Sequence, residues 1–229
     1  MPRPSRNVDV ALLQAGRELF AQAGCAGLSV RAVAERAGAN IGMFHYHFKS
    51  KDNFLRALLQ QVYEEIFEGL SHAAAQRGSA VERLRGALVA AGALLVRHRK
   101  VIARLWMDAV SGEPVATEFM RRNAPRHIGL VLGLVQQAQQ EGSLRPAAPL
   151  QCVATLLGAT VLPVIFVAGL VEVAMPMPAF QKQFAEQVLA ETAIAERVDL
   201  ALSALRAVPP PPAKRRSATP RRRAPAPSR

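Results

Sequence analysis

Lys49 and Lys51 stand on either side of Ser50, a residue placed to cap a following helix whose first turn holds Asp52. A helix N-terminus beside a lysine offers backbone N–H groups and a fixed positive charge, which is chemistry for a phosphate. Just upstream, IGMFHYHF sets Phe44 and Phe48 at i and i+4 on one side of a helix. Gly42, Met43, Tyr46 and His47 then occupy the opposite arc, with His45 beside it. One face is core and the other is free to touch a partner. Metal chemistry does not suit this pair of histidines, because His45 and His47 lie about 200° apart around the helix and cannot meet one ion.

Two elements must position these groups. Ser29 can cap a helix whose inward residues, Val30, Val33, Ala34 and Ala37, are small enough for another helix to cross closely. Gly38 ends that helix by accepting left-handed backbone, and Asn40 is placed to cap the next one. This is helix-turn-helix spacing over about residues 29–48. In front of it, DVALLQAGRELFAQAG carries Leu12, Ala15, Gly16, Leu19 and Phe20 as one buried stripe.

The run AERAGANIGMFHYHFKSKDNFLRALL resembles the DNA-binding signature of the tetracycline-repressor (TetR) family. In that signature Ala-Gly, a turn, an aromatic pair, Tyr/His-Phe, Ser-Lys-acid and an apolar residue recur in this order. The likeness extends from Val8 to Leu59 and departs at His45, where members usually carry tyrosine; Tyr46 fills the variable position that follows. It implies a sequence-specific DNA-binding transcriptional regulator, a repressor released from a palindromic operator by a small-molecule effector. Residue by residue, it implies that Arg31 reaches a base edge such as guanine, and that Asn40, Ile41, Gly42 and Met43 begin the recognition helix, deepest in the major groove. Tyr46, His47 and Lys51 would hold phosphates, with His45 joining them at a phosphate or a base.

At 229 residues the chain far exceeds one DNA-binding module. Its charge is uneven. Residues 1–60 carry 8 Lys/Arg against 4 acids, 61–208 carry 14 against 13, and 209–229 carry 7 against none. Attraction to nucleic acid therefore belongs to the two ends. Helical periodicity runs through the middle: Phe54, Leu55, Leu58, Leu59, Val62, Ile66 and Leu70 form one apolar face, and further helices follow with breaks near Gly78, His98, Gly112 and Gly142 to Pro149. A last helix begins after Pro178 and runs unbroken to the end of the apolar sequence. The expected fold is all-α, with about nine helices: a flexible arm (1–7), a three-helix helix-turn-helix DNA-binding domain (8–55), a helical ligand-binding and dimerisation domain (56–208) and a disordered Pro/Arg-rich tail (209–229).

Residues 146–171 hold no charge and are numerous enough to span a bilayer. Gln151, Thr155, Thr160 and Pro163 within the segment argue for a buried or interface helix instead, so no membrane is expected. Small residues Ala154, Gly158, Ala159 and Gly169 allow close helix approach, and in the resembling family the last two long helices pair two chains into a homodimer. Two cysteines, Cys25 and Cys152, make neither a disulfide framework nor a metal site and fit a cytosolic protein, and the resemblance implies a cytoplasmic, nucleoid-associated bacterial one. Cys25, in the loop-like AGCAG, is either exposed and oxidisable or inert; Cys152 reads as core.

No nucleophile elbow, phosphate loop or zinc spacing is present, and neither an enzyme nor a cofactor is expected. Glu64, Glu65 and Glu68 read as a solvated helix face, and Arg121, Arg122, Arg126 and His127 as surface able to meet an acidic group. For the effector implied by the resemblance, Trp106, Met107, Phe119 and Phe166 are the expected pocket, with Met175 and Met177 as further apolar material and a lipophilic ligand preferred. The alternative class is a nucleoid-type or membrane-surface protein whose basic ends bind polyanions without sequence choice.

Overall fold

The computed structural model describes residues 7–207. The basic tail lies outside them, as does all but the last residue of the expected arm. Counting helices that run on without interruption as one, the described residues form nine and no strand: α1 (Val8–Gly27), α2 (Val30–Arg36), α3 (Ile41–Phe48), α4 (Lys51–Ala74), α5 (Ala80–Val110), α6 (Pro114–Gln140), α7 (Pro149–Ala174), α8 (178–189) and α9 (Glu191–Leu205).

Two expectations about breaks are corrected. Helix α5 continues straight through His98, because that side chain is buried and turned toward Glu65 of α4, 2.9 Å away, rather than exposed at a helix end. The last helical stretch is two helices, since Ala190 takes an extended backbone (ψ 148°) between α8 and α9. One expected break is absent and one unexpected break is present, so the expected count of nine stands.

Two apolar clusters lie along the long helices. Phe20, Phe44 and Phe54 centre the first, which joins α1–α4 to Val101 and Leu105 of α5 and Phe119 of α6. Leu84, Leu88, Leu156 and Val198 centre the second, among α5, α6, α7 and α9. Phe67 packs against both. Helix α4 crosses position 55 without a break, so the helix-turn-helix segment and the remainder of the fold share one continuous helix.

Helix α7 is the one described helix long and apolar enough to cross a membrane. One face of it, including Val153, Leu156, Thr160, Val164 and Ala168, is buried, and the helix packs on α5, α6 and α9. At Pro163 it widens into a π turn, Pro163–Val167. Proline has no N–H to donate to the carbonyl of Ala159. Arg197 of α9 supplies the missing donor: its Nε reaches Ala159 O at 2.7 Å and its Nη1 reaches Val188 O, near the end of α8, at 3.0 Å.

Candidate nucleic-acid interface and cavity

Three side-chain caps fix the helix-turn-helix segment. Ser29 Oγ accepts the Ala32 N–H, Asn40 Oδ1 accepts the Met43 N–H at 2.9 Å, and Ser50 Oγ accepts the Asn53 N–H at 3.2 Å. Gly38, at φ 63°, turns the chain between α2 and α3 where a side chain would be strained. Lys49 takes φ 65° in the two-residue turn from α3 to α4, which brings Ser50 into its capping position.

Phe44 is buried against Phe48 and Phe54, and this aromatic cluster sets the rotation of α3. The opposite face is open: Ile41 is 50% and Tyr46 73% exposed, with Asn40, Gly42 and His47 also exposed and Met43 half-buried. His45 is exposed too, packed edge-on to Phe44 with Nδ1 3.3 Å from the Lys49 carbonyl. Arg31 lies on α2, fully exposed, and pairs with Glu35 at 2.8 Å, which raises its pKa. Lys51 is less free than its neighbours, since its Nζ donates to Ala26 O at the end of α1 (2.8 Å).

That end of α1 is itself clamped. Gly24, at φ 68°, kinks the helix against Arg104, and a Cβ there would lie 2.2 Å from Arg104 Nε. Cys25 is therefore buried and helical, not in an exposed loop, and burial first, then the Asp108 carboxylate, pushes its thiol up to about 12. Cys152 is buried in the second cluster.

Between α4, α5, α6 and α7 lies an apolar cavity of about 340 Å³. Trp106, Phe119 and Phe166 line it, the Trp106 and Phe166 rings meeting edge to face with centroids 6.1 Å apart. Met107 does not: it follows Trp106 by about 100° of helical turn and is 61% exposed. Met175 and Met177 are likewise exposed, at the far end of α7 and just past it. Tyr63, Asn123, His127 and Thr160 supply the polar part of the wall, none of them expected there from the sequence. For Asn123 and His127 the signal was available, because Phe119, Asn123 and His127 recur at i, i+4 and i+8 on α6.

Residues 12–58 match the family of bacterial regulatory proteins described as the tetR family. The match covers the helix-turn-helix segment and the helices beside it. The HTH-type transcriptional repressor Rv3405c of Mycobacterium tuberculosis is 34% identical over 115 residues, 50% of this chain and 53% of the relative. The HTH-type transcriptional repressor KstR2 of Mycolicibacterium smegmatis is 25% identical over 138 residues, 59% of this chain and 66% of the relative. The chain spans about half the length of the first of these curated relatives. Among solved structures, the TetR family transcriptional regulator PfmR of Thermus thermophilus superposes with a TM-score of 0.65 at 17% identity, covering 84% of this chain and 97% of that one. The ketosteroid transcriptional regulator KstR2 of Mycobacterium tuberculosis gives 0.64 at 19%, covering 89% and 97%. At these identities the structures speak for the fold alone.

One surface cluster differs from expectation. Glu65 is not a solvated acid: it joins Arg17 of α1 and His98 of α5, and although burial pushes its carboxyl up, Arg17 holds it below the usual range. The cations of α6 do not converge. Arg121 and Arg122 point to solvent, Arg126 pairs with Glu64 at 2.6 Å over the Tyr63 and Phe67 rings, and His127 turns to the cavity.

Proposed function

We propose that this chain is a cytoplasmic, homodimeric, sequence-specific DNA-binding transcriptional repressor that a small molecule releases from its operator. The observation that carries this reading is the outer face of α3: a capped recognition helix rotated by Phe44 so that Ile41, Gly42, Met43, Tyr46 and His47 face away from the core. Residues 8–55 act as the DNA-binding domain and 56–208 as the effector and dimer domain. Arg31 and the N-terminal residues of α3, Asn40 to Met43, read bases in the major groove, while His45, Tyr46, His47 and Lys51 meet phosphates. One recognition helix reads too few base pairs alone, and pairing of two chains supplies the second. The exposed apolar residues of α7, Leu162, Leu170 and Val173, support such pairing.

The cavity supports the effector role, with Trp106, Phe119 and Phe166 as its aromatic wall. A ligand preferred by one of two α5–α6 arrangements shifts the separation of the recognition helices. Selection of bound duplexes from a random pool tests the reading. An enriched inverted repeat with half-sites about one helical turn apart is expected. Binding without an enriched sequence would leave charge attraction alone and overturn it.

A further inference from the structure

None of the side chains lining the cavity is Asp, Glu, Lys or Arg. The nearest cation by sequence, Arg126, is taken up by Glu64 and by the outer faces of the Tyr63 and Phe67 rings. Most of the polar lining is already satisfied within the protein. Tyr63 Oη donates to Asn123 O at 2.8 Å, Asn123 Nδ2 donates to Phe119 O at 3.0 Å, and the Thr160 hydroxyl donates to Leu156 O. His127 differs. Its Nδ1 lies 3.5 Å from Tyr63 Oη, whose proton goes to Asn123 O, and the ring also bonds the Asn123 carbonyl, so Nδ1 carries the ring proton; Nε2 keeps its lone pair and makes no hydrogen bond among the described residues. Burial lowers the His127 pKa, so the ring is neutral near pH 7 and offers hydrogen bonding without charge.

An ionised ligand would leave water for a wall that holds no counter-charge, which opposes its entry. An apolar molecule meets the opposite balance, because it removes from water the exposed parts of Leu95, Ile102, Trp106 and Phe166 together with its own surface. We propose that the cavity binds an uncharged, predominantly apolar molecule with one hydroxyl group, and that His127 is the residue that recognises it, Nε2 accepting the hydroxyl proton. The proposal rests on reading the cavity as a ligand site, and it fixes the ligand's chemical class.

Two pairs of probes test it, 2-naphthol against 2-naphthoate and 1-decanol against decanoate, each titrated into the full chain at pH 7.5 by calorimetry and by thermal unfolding. The neutral member of each pair should bind at least tenfold more tightly than its anion and raise the melting temperature. His127→Phe should weaken 2-naphthol by about fivefold, the worth of one net hydrogen bond, and leave naphthalene binding unchanged. Unchanged naphthalene binding also shows that the variant is folded. Anions binding as tightly as their neutral partners, or none of the four probes binding, would overturn the proposal, as would an unaltered 2-naphthol affinity in the variant. Operator binding is read separately in the same samples. Neutral probes that bind without changing DNA affinity would leave the ligand class standing and remove the effector role instead.

Discussion

The carboxylate of Asp108 accepts the backbone N–H of Cys25 at 2.7 Å while its other oxygen takes Arg104 Nε at 2.9 Å. A buried acid on α5 thus holds the kinked end of α1, and the carbonyl of the following residue, Ala26 O, receives Lys51 from the start of α4. The lysine assigned to phosphate is two hydrogen-bonded steps from a residue that follows the cavity-lining Trp106 by two positions. Removing the acid leaves the Cys25 N–H unpaired in the core. Asp108→Ala should cost about 1.5–3 kcal/mol in denaturant unfolding, the range for a hydrogen bond to a charged group. A loss under half a kcal/mol would show that the clamp carries no stability.

At the face proposed for DNA the two cations should behave differently. Arg31→Ala should relax the preference at one base pair with a modest change in affinity, whereas Lys51→Ala should weaken all sequences together and reduce the salt slope by about 0.9. Competition binding against operator variants at several salt concentrations measures both. A Lys51 variant that alters the preferred sequence would contradict the phosphate assignment.

The α7 surface separates pairing from folding. Leu170 and Val173 are 64% and 82% exposed, so Leu170→Glu or Val173→Glu should give a folded monomer with at least tenfold weaker operator binding, read by light scattering and circular dichroism. Val161 and Val164 are unsuited to this test. The first lines the cavity and the second is fully buried, so a charge at either would damage the interior.

Acid should destabilise the protein beginning near neutrality. Burial lowers the pKa of both His98, which faces Glu65, Arg17 and Arg97, and His127 in the cavity wall. Each contributes stability that is complete above its ordinary value of 6.5 and is lost as pH falls from there toward the folded value, because the unfolded chain takes up the proton first. Glu65, held low by Arg17 and His98, continues the loss below its ordinary 4.5. Melting temperature should be level from pH 8 to 7 and fall between about pH 6.5 and 5, less steeply in His127→Phe. A rise over that interval would reverse the sign of the whole assignment.

Cys25 should resist alkylation. With its thiol pushed up to about 12 by burial and by Asp108, thiolate is negligible at pH 8, and iodoacetamide should modify it only at the rate of unfolding. Rapid labelling of native protein would place it at the surface.

The readable parts of this molecule were those decided over a few residues. The caps Ser29, Asn40 and Ser50 and the Phe44–Phe48 pair needed no knowledge of what lay beyond them. Features set by distant partners stayed hidden. Asp108 meets Cys25 across 83 positions, and His98 reads as a polar break until Glu65 is opposite it. Trp106 and Met107 are equally apolar in sequence, and only the packing of α5 among α4, α6 and α7 decides which of them faces the cavity. Ala190 shows the limit most plainly, since a good helix former sits in extended backbone between two helices.

Arg197 makes its two bonds to carbonyls and has no acid partner among the described residues, so its value depends on what Pro163 withholds from Ala159. The two positions form a historical contract. Pro163→Ala alone returns a backbone donor and makes part of the arginine redundant, while Arg197→Leu alone strands the Ala159 oxygen; in either order the second change has a different effect from the one it would have had first. Descendants of this chain that straighten α7 are thereby released to lose the arginine, and those that keep the proline are not.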